Sequence, residues 1–166
     1  MKVLVTYGSK RGGTAGLAQM IAAELRRHGL AVDVQPAGRG LRPDDFDAVV
    51  VGGALYAFHW HKAARRFVRT HADVLRQRPT WLFSSGPLDD SAIRSQLPPV
   101  PGVARLMTDI GARGHATFGG TLSEHARGFP ASAMAKTKAG DWRDPGQVRT
   151  WADSVADELT SARVSP

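Results

Sequence analysis

Cysteine is absent from this 166-residue chain. Its absence excludes disulfides, thiolate zinc sites and cysteine nucleophiles together. Long apolar runs are missing too: no stretch approaches the ~20 residues that span a bilayer. The N-terminus passes from one lysine straight into a short apolar segment, without the h-region and cleavage site of a signal peptide. A cytoplasmic location is therefore expected. Acidic residues are the minority charge, 15 against 22 Lys and Arg, leaving a net charge of +7. Such a surface attracts acidic ligands, anionic lipid or nucleic acid. Basic runs with interleaved aromatics, zinc-finger spacings and RNA-binding signatures are lacking, so no nucleic-acid partner is expected. With 42% hydrophobic and 22% charged residues, the chain reads as one ordinary globular domain over 1–162 with a frayed tail at 163–166.

The most informative stretch present is Tyr7-Gly8-Ser9-Lys10-Arg11-Gly12-Gly13-Thr14. It lies between an apolar run (Val3 to Val5) and an amphipathic segment with Leu17, Ile21 and Leu25 on one stripe. Strand, glycine-rich turn and helix form an anion cradle: glycine admits close backbone approach, and the helix start offers N–H groups and a positive dipole end. Ser9 and Thr14 add hydroxyls, and Lys10 and Arg11 add cations. A phosphate monoester fits such a loop. A plain strand-to-helix turn, with Thr14 as N-cap, fits it as well.

Helices are expected over 14–28, stopped by Gly29, over a long stripe from Ala63 through Phe67, Val68 and His71 to Leu75, and over 103–110. A last helix starts at Asp144, with Pro145 at N1 and Gln147 completing a capping box. Strands are expected over 1–6, 30–35, 48–51, 80–84 and 115–122. The segment 123–142 shows no strong periodicity, apart from a short helical reading over 130–138; an irregular stretch of that length is usually functional or mobile. Alternating short apolar strands and amphipathic helices give an α/β fold with a five-stranded parallel sheet covered on both faces. Ligands of such sheets bind beyond the carboxyl ends of the strands. The loops at 7–14, 54–61 and 84–87 all leave from those ends, and their convergence favours the phosphate reading.

The ligand class narrows by elimination. Gly8 and Gly13 have Walker spacing, but no lysine follows Gly13. The dinucleotide fingerprint fails, because its glycine pattern is absent and the second strand ends Val34-Gln35-Pro36 without an acidic residue. A receiver domain would need clustered carboxylates after the first strand. What remains is a phosphate carrying a flat apolar group. The run Tyr56-Ala57-Phe58-His59-Trp60-His61 can wall such a ring, and flavin mononucleotide (FMN) meets the description.

On these residues the chain resembles the flavodoxins. Ser9, Gly12, Gly13 and Thr14 fall on the family pattern [ST]-x-T-G-x-T, with Arg11 where a hydroxyl residue is usual. Phe46 through Ala54 resembles the third strand and flavin loop. Tyr56 to His71, Phe118-Gly119-Gly120-Thr121-Leu122, Gly140 to Asp144 and Trp151-Ala152-Asp153 resemble the branch akin to the menaquinone-dependent protoporphyrinogen dehydrogenase of bacteria. The resemblance implies a flavodoxin-like three-layer sandwich. It implies a phosphate held by Ser9, Lys10, Arg11, Gly12, Gly13 and Thr14. Ala54, Leu55 and Tyr56 would pass along the ring and ribityl chain, and Trp60 or Tyr56 would stack on the ring. Ser84, Ser85, Gly86 and Pro87 would edge the pyrimidine. The implied activity is an FMN-dependent oxidoreductase, oxidising a porphyrinogen with a quinone acceptor and touching a membrane peripherally through the segment around Phe129, Met134, Lys136 and Lys138. The alternatives are a flavodoxin-type electron carrier, and a domain of this fold that binds no flavin. Cationic neighbours of the ring imply a raised reduction potential. Loop histidines 59 and 61 read as surface residues, and His71 as a core histidine.

Overall fold

Val3, Leu4 and Val5 are wholly buried, which places β1 (Lys2–Gly8) in the interior of a sheet rather than at its edge. The computed structural model describes residues 1–10, 12–122 and 140–163. The expectations for Arg11, for 123–139, which holds most of the docking segment and the short helix within it, and for 164–166 of the tail lie outside the described residues.

Leu17, Ile21 and Leu25 recur at helical spacing and bury one face of α1 (Gly13–Arg27) against the sheet. Gly29, at φ +80°, ends it. Next come β2 (Ala31–Pro36), a 3₁₀ turn (Pro43–Asp45), β3 (Ala48–Tyr56) and β4 (His59–Trp60). Helices α2 (Lys62–Thr70) and α3 (Ala72–Arg76) lead into β5 (Thr80–Ser85). The remainder is α4 (Ser91–Arg94), α5 (Pro101–Ile110), β6 (Gly114–Phe118), β7 (Thr121–Leu122), β8 (Gly140–Asp141) and α6 (Pro145–Ser161). Five strands run parallel in the order β2-β1-β3-β5-β6. Parallel neighbours need crossovers, and the helices supply them on both faces. One apolar layer packs α1 and α6 on Val3, Val5, Val50, Trp81 and Phe83. The other packs α2 and α5 on Leu4, Val49, Val51 and Leu82. His28 Nε2 lies 2.8 Å from Asp153 Oδ1, and Arg149 reaches Glu24 at 3.6 Å, so a side-chain hydrogen bond and an ion pair tie the end of α1 and its body to α6 at the rim of the first layer. None of the described helices is long and apolar enough to cross a membrane.

The structure differs from the sequence expectation at several points. The third strand does not stop at Val51 but runs on to Tyr56, and Leu55 and Tyr56 fold back on Trp60 and His59 as a hairpin. The long stripe from Ala63 to Leu75 is two helices, because His71 leaves helical geometry (φ −108°, ψ 20°) with its half-buried ring tilted against Phe67 at 4.8 Å. The strand expected over 115–122 breaks at Gly119, where a Cβ would collide with the Trp142 carbonyl. Leu122 and Thr121 pair instead with Gly140 and Asp141. Asp144 caps α6 through Gly146 N–H (2.9 Å) and Gln147 N–H (3.4 Å) as expected. The capping box does not close, because the Gln147 amide donates to Ala92 O and ties α4 to α6. The four residues of α4 carry no periodicity that could have announced them.

Candidate functional site

The order β2-β1-β3 reverses direction at β1, so a crevice opens beyond the carboxyl ends of β1 and β3. The loop after β1 enters it first. Gly12 sits at φ +81° with no side-chain cap, a left-handed position that glycine takes at no steric cost. Its N–H donates to Ser9 Oγ at 3.2 Å. Thr14 is therefore not the N-cap; it lies inside the first turn of α1, 1% exposed. Its hydroxyl is buried and has no partner among the described residues. A buried unpaired hydroxyl costs about 1–3 kcal/mol, and this one stands at a helix N-terminus with no acidic residue in its first turn, where an external anion would satisfy it.

Two further loops reach the same crevice. The Tyr56 hydroxyl accepts the Lys10 N–H at 3.2 Å, joining the end of β3 to the glycine loop. Gly86 lies so close to Leu55 that a Cβ would come within 2.8 Å of its side chain, and Gly86 N–H donates to Phe118 O at 3.1 Å. Gly13 packs on the Thr121 methyl, where a Cβ would lie 2.7 Å away. Ser9, Lys10, Gly12, Gly13, Leu55, Tyr56, Gly86 and Pro87 all keep some exposure along this rim.

Several expected residues face inward instead. Trp60 is 2% exposed. Its ring covers Gly53, where a Cβ would approach it to 2.7 Å, and its Nε1–H donates to Ser84 Oγ at 3.0 Å. Of the two aromatics expected to stack on a bound ring, Trp60 is thus used within the core and Tyr56 is the one on the rim. Ser84, 1% exposed, is also committed: besides Trp60 it bonds His115 Nε2 at 2.9 Å. Ala54 and Ser85 are buried under the same rim. These three support the crevice from below rather than line it.

Sequence reasoning missed His115 altogether. Burial pushes its pKa down to about 4, so at neutral pH it is an uncharged partner of Ser84. Trp60 donates to the serine oxygen, and the direction of the Ser84–Nε2 bond follows the imidazole tautomer. His115 also borders a concavity of about 700 Å³ between β6, the connector 96–99 and α6. A single histidine inside an apolar strand was the only sequence signal. His61 likewise proves more than a surface residue. Its Nδ1 accepts the Ala63 N–H at 3.1 Å and caps α2, its ring lies 6.1 Å from that of Tyr56, and it packs on Gly8. Burial first, then Lys62, Arg65 and Lys10, lower its pKa, so the cap is made by a neutral ring.

A family model described as a flavodoxin domain matches residues 4–126. The protoporphyrinogen IX dehydrogenase [quinone] of Escherichia coli strain K12 is 33% identical over 86 residues, which is 51% of this chain and 48% of that protein. The match thus spans about half the length of this relative. Among solved structures, a flavodoxin of Streptococcus pneumoniae TIGR4 superposes with a TM-score of 0.63 at 18% identity, covering 98% of this chain and 99% of that one. The rubredoxin:oxygen oxidoreductase of Desulfovibrio gigas superposes at 0.64 and 16% identity, covering 99% of this chain and 37% of that one. The folds coincide over nearly the whole length, and the two structural relatives share the parallel three-layer architecture.

Proposed function

The chain belongs to the flavodoxin-domain family, and from that premise we propose that it is an FMN-dependent oxidoreductase that oxidises a porphyrinogen-class substrate and passes the electrons to a quinone. The observation that carries the cofactor is the buried, unpartnered Thr14 hydroxyl behind the glycine loop. A phosphate monoester satisfies it together with the N-terminal amides of α1, and Lys10 adds a cation at the entrance. Leu55 and Tyr56 offer an apolar and an aromatic surface for a flat ring, and Gly86 and Pro87 offer main-chain groups at its edge. Arg11 completes the phosphate contacts in this reading. When bound, the flavin supplies the two-electron chemistry, and the protein tunes it.

The remaining work falls to the chain's own residues. Trp60, Ser84 and His115 hold the floor of the crevice fixed through two side-chain hydrogen bonds. His61, neutral and capping α2, keeps the cationic start of that helix against the rim. Lys10, Lys62 and Arg65 lie close enough to act on the His61 imidazole, and the same positive field favours a substrate with carboxylate substituents. The substrate class and the quinone acceptor are both supported by the half-length similarity to a protoporphyrinogen IX dehydrogenase [quinone]. Denaturing the purified protein and identifying the released cofactor tests the first step. Release of no flavin after reconstitution with FMN overturns the reading. Turnover of protoporphyrinogen with a quinone tests the second, and a flavin-loaded protein that leaves it unoxidised is an electron carrier instead.

A further inference from the structure

Among the described residues the structure exposes two large hydrophobic side chains, Phe58 (82%) and Ile93 (46%). Phe58 directly follows the carboxyl end of β3, beside the rim residues Leu55 and Tyr56, whereas Ile93 lies in α4. Phe58 occupies the tip of the β3–β4 hairpin. Ala57 (φ +46°) and Phe58 (φ +65°) both take left-handed backbone angles in a two-residue turn. That turn is normally built from Asn and Gly, because bulky residues are strained there. Strain of this kind is retained where it serves a role, and here it holds a phenyl ring out in water.

The helix that follows the hairpin carries the opposite signal. Between Asp47 and Asp73 the sequence contains no acidic residue. Lys62, Arg65, Arg66 and Arg69, with Thr70, line a shallow depression of about 260 Å³ on α2. None of the four cations pairs with a carboxylate among the described residues. Arg65 Nε is buried and lacks a partner there as well. An exposed ring and a bare cationic face on successive elements are the composition of an interfacial unit: the ring enters the headgroup boundary and the cations meet lipid phosphates.

We propose that the β3–β4 hairpin tip and the cationic face of α2 dock the protein on an anionic lipid bilayer, with Phe58 inserted and the crevice rim turned toward the membrane. This deepens the oxidoreductase reading and rests on it for its purpose: an apolar quinone dissolved in lipid meets the rim without entering water. A free acidic molecule would account for the arginines, but it would leave Phe58 with nothing to do. That is why the surface is assigned to lipid.

The test uses the full chain and vesicles of phosphatidylcholine with and without phosphatidylglycerol. Sedimentation with the anionic vesicles alone, reversed by high salt, is the expected result. Each cation near an anionic leaflet is worth about five-fold in partitioning. The double substitution Arg66→Gln, Arg69→Gln should therefore weaken binding about 25-fold. Because the chain has no native cysteine, Phe58→Cys accepts a single polarity-sensitive dye, which should shift to the blue on the vesicles. The same dye on Ser154→Cys, exposed on α6 in the opposite helical layer, should not. Equal binding to neutral vesicles, indifference to the arginine substitutions, or a position-58 dye that stays in water would overturn the proposal. Flavin released from the same samples is measured in parallel. Vesicle binding without flavin removes the cofactor reading and leaves the docking surface, whereas flavin without vesicle binding does the reverse.

Discussion

Acidifying the protein should cost it stability in a window set by one residue. His115 has a pKa of about 4 in the fold because burial disfavours its charged form, against an ordinary value near 6.5. Above pH 6.5 the imidazole is neutral in the folded and unfolded states, and pH has no effect through it. Between pH 6.5 and 4 the unfolded chain takes up a proton that the fold refuses, so stability falls as pH falls. Below pH 4 both states are protonated and this loss stops growing. At about 1.4 kcal/mol per unit, the full loss is about 3 kcal/mol, a large share of the roughly 5–15 kcal/mol that holds a typical domain together. His61 is shifted in the same direction, but it is too exposed to add much. The carboxyls of Asp141 and Asp153 are held below their usual range, by Arg143 and His28 respectively, so their losses fall at lower pH. Urea titrations at a series of pH values, with constant m-values as the two-state check, give the curve. His115→Gln keeps a polar group able to bond the Ser84 hydroxyl but unable to titrate. Its stability should lose most of the slope between pH 6.5 and 4. A wild-type slope that survives in the variant would refute the assignment of this window to His115.

Three other outcomes follow from the site and the core. Thr14→Val removes an unpaired buried hydroxyl; the variant should fold at least as stably as the parent yet bind FMN about 10- to 100-fold more weakly, read by quenching of flavin fluorescence. Unchanged FMN affinity would mean that the hydroxyl does not face the phosphate. Gly53→Ala pushes a methyl against the Trp60 ring and should cost about 1–3 kcal/mol in thermal or urea unfolding, with altered tryptophan emission. A neutral result would show that the ring moves aside easily. The flavin-loaded protein should be reduced at a higher potential than flavodoxins with acidic surroundings, and Arg65→Gln should lower it by some tens of millivolts, the equivalent of about 1 kcal/mol for one nearby charge. Spectroelectrochemical titration showing no change would remove Arg65 from the field acting on the ring.

Residue patterns alone made the sheet legible. Val3 to Val5 and Ala48 to Val51 are apolar without alternation, and strands buried on both faces have that composition. The stripe of Leu17, Ile21 and Leu25 and the Asp144-Pro145 start of α6 are local signals. They were enough to place the two helices that cover one layer. The glycine loop was legible for the same reason, since glycine spacing and a following helix are both written within a few residues.

The parts that were not legible depend on which side of a sheet a residue meets, and with what. Trp60 and Phe58 are two positions apart in one aromatic run. The hairpin sends one ring onto Gly53 and the other into solvent, and that choice needs the register of β4 on β3. Ser84 read as a residue of the ligand rim until Trp60 and His115, each about thirty positions away or less, took up its hydroxyl. His115 has an ordinary sequence environment; only burial lowers its pKa. The composition and periodicity of the chain therefore determined an α/β sheet with a glycine loop at its carboxyl edge, because those features arise from neighbouring residues. Tertiary packing decided which side chains stay at the surface, because hydrogen bonds and burial between distant segments commit Trp60, Ser84 and His115 to the interior and leave Tyr56, Phe58 and the arginines of α2 with exposed surface.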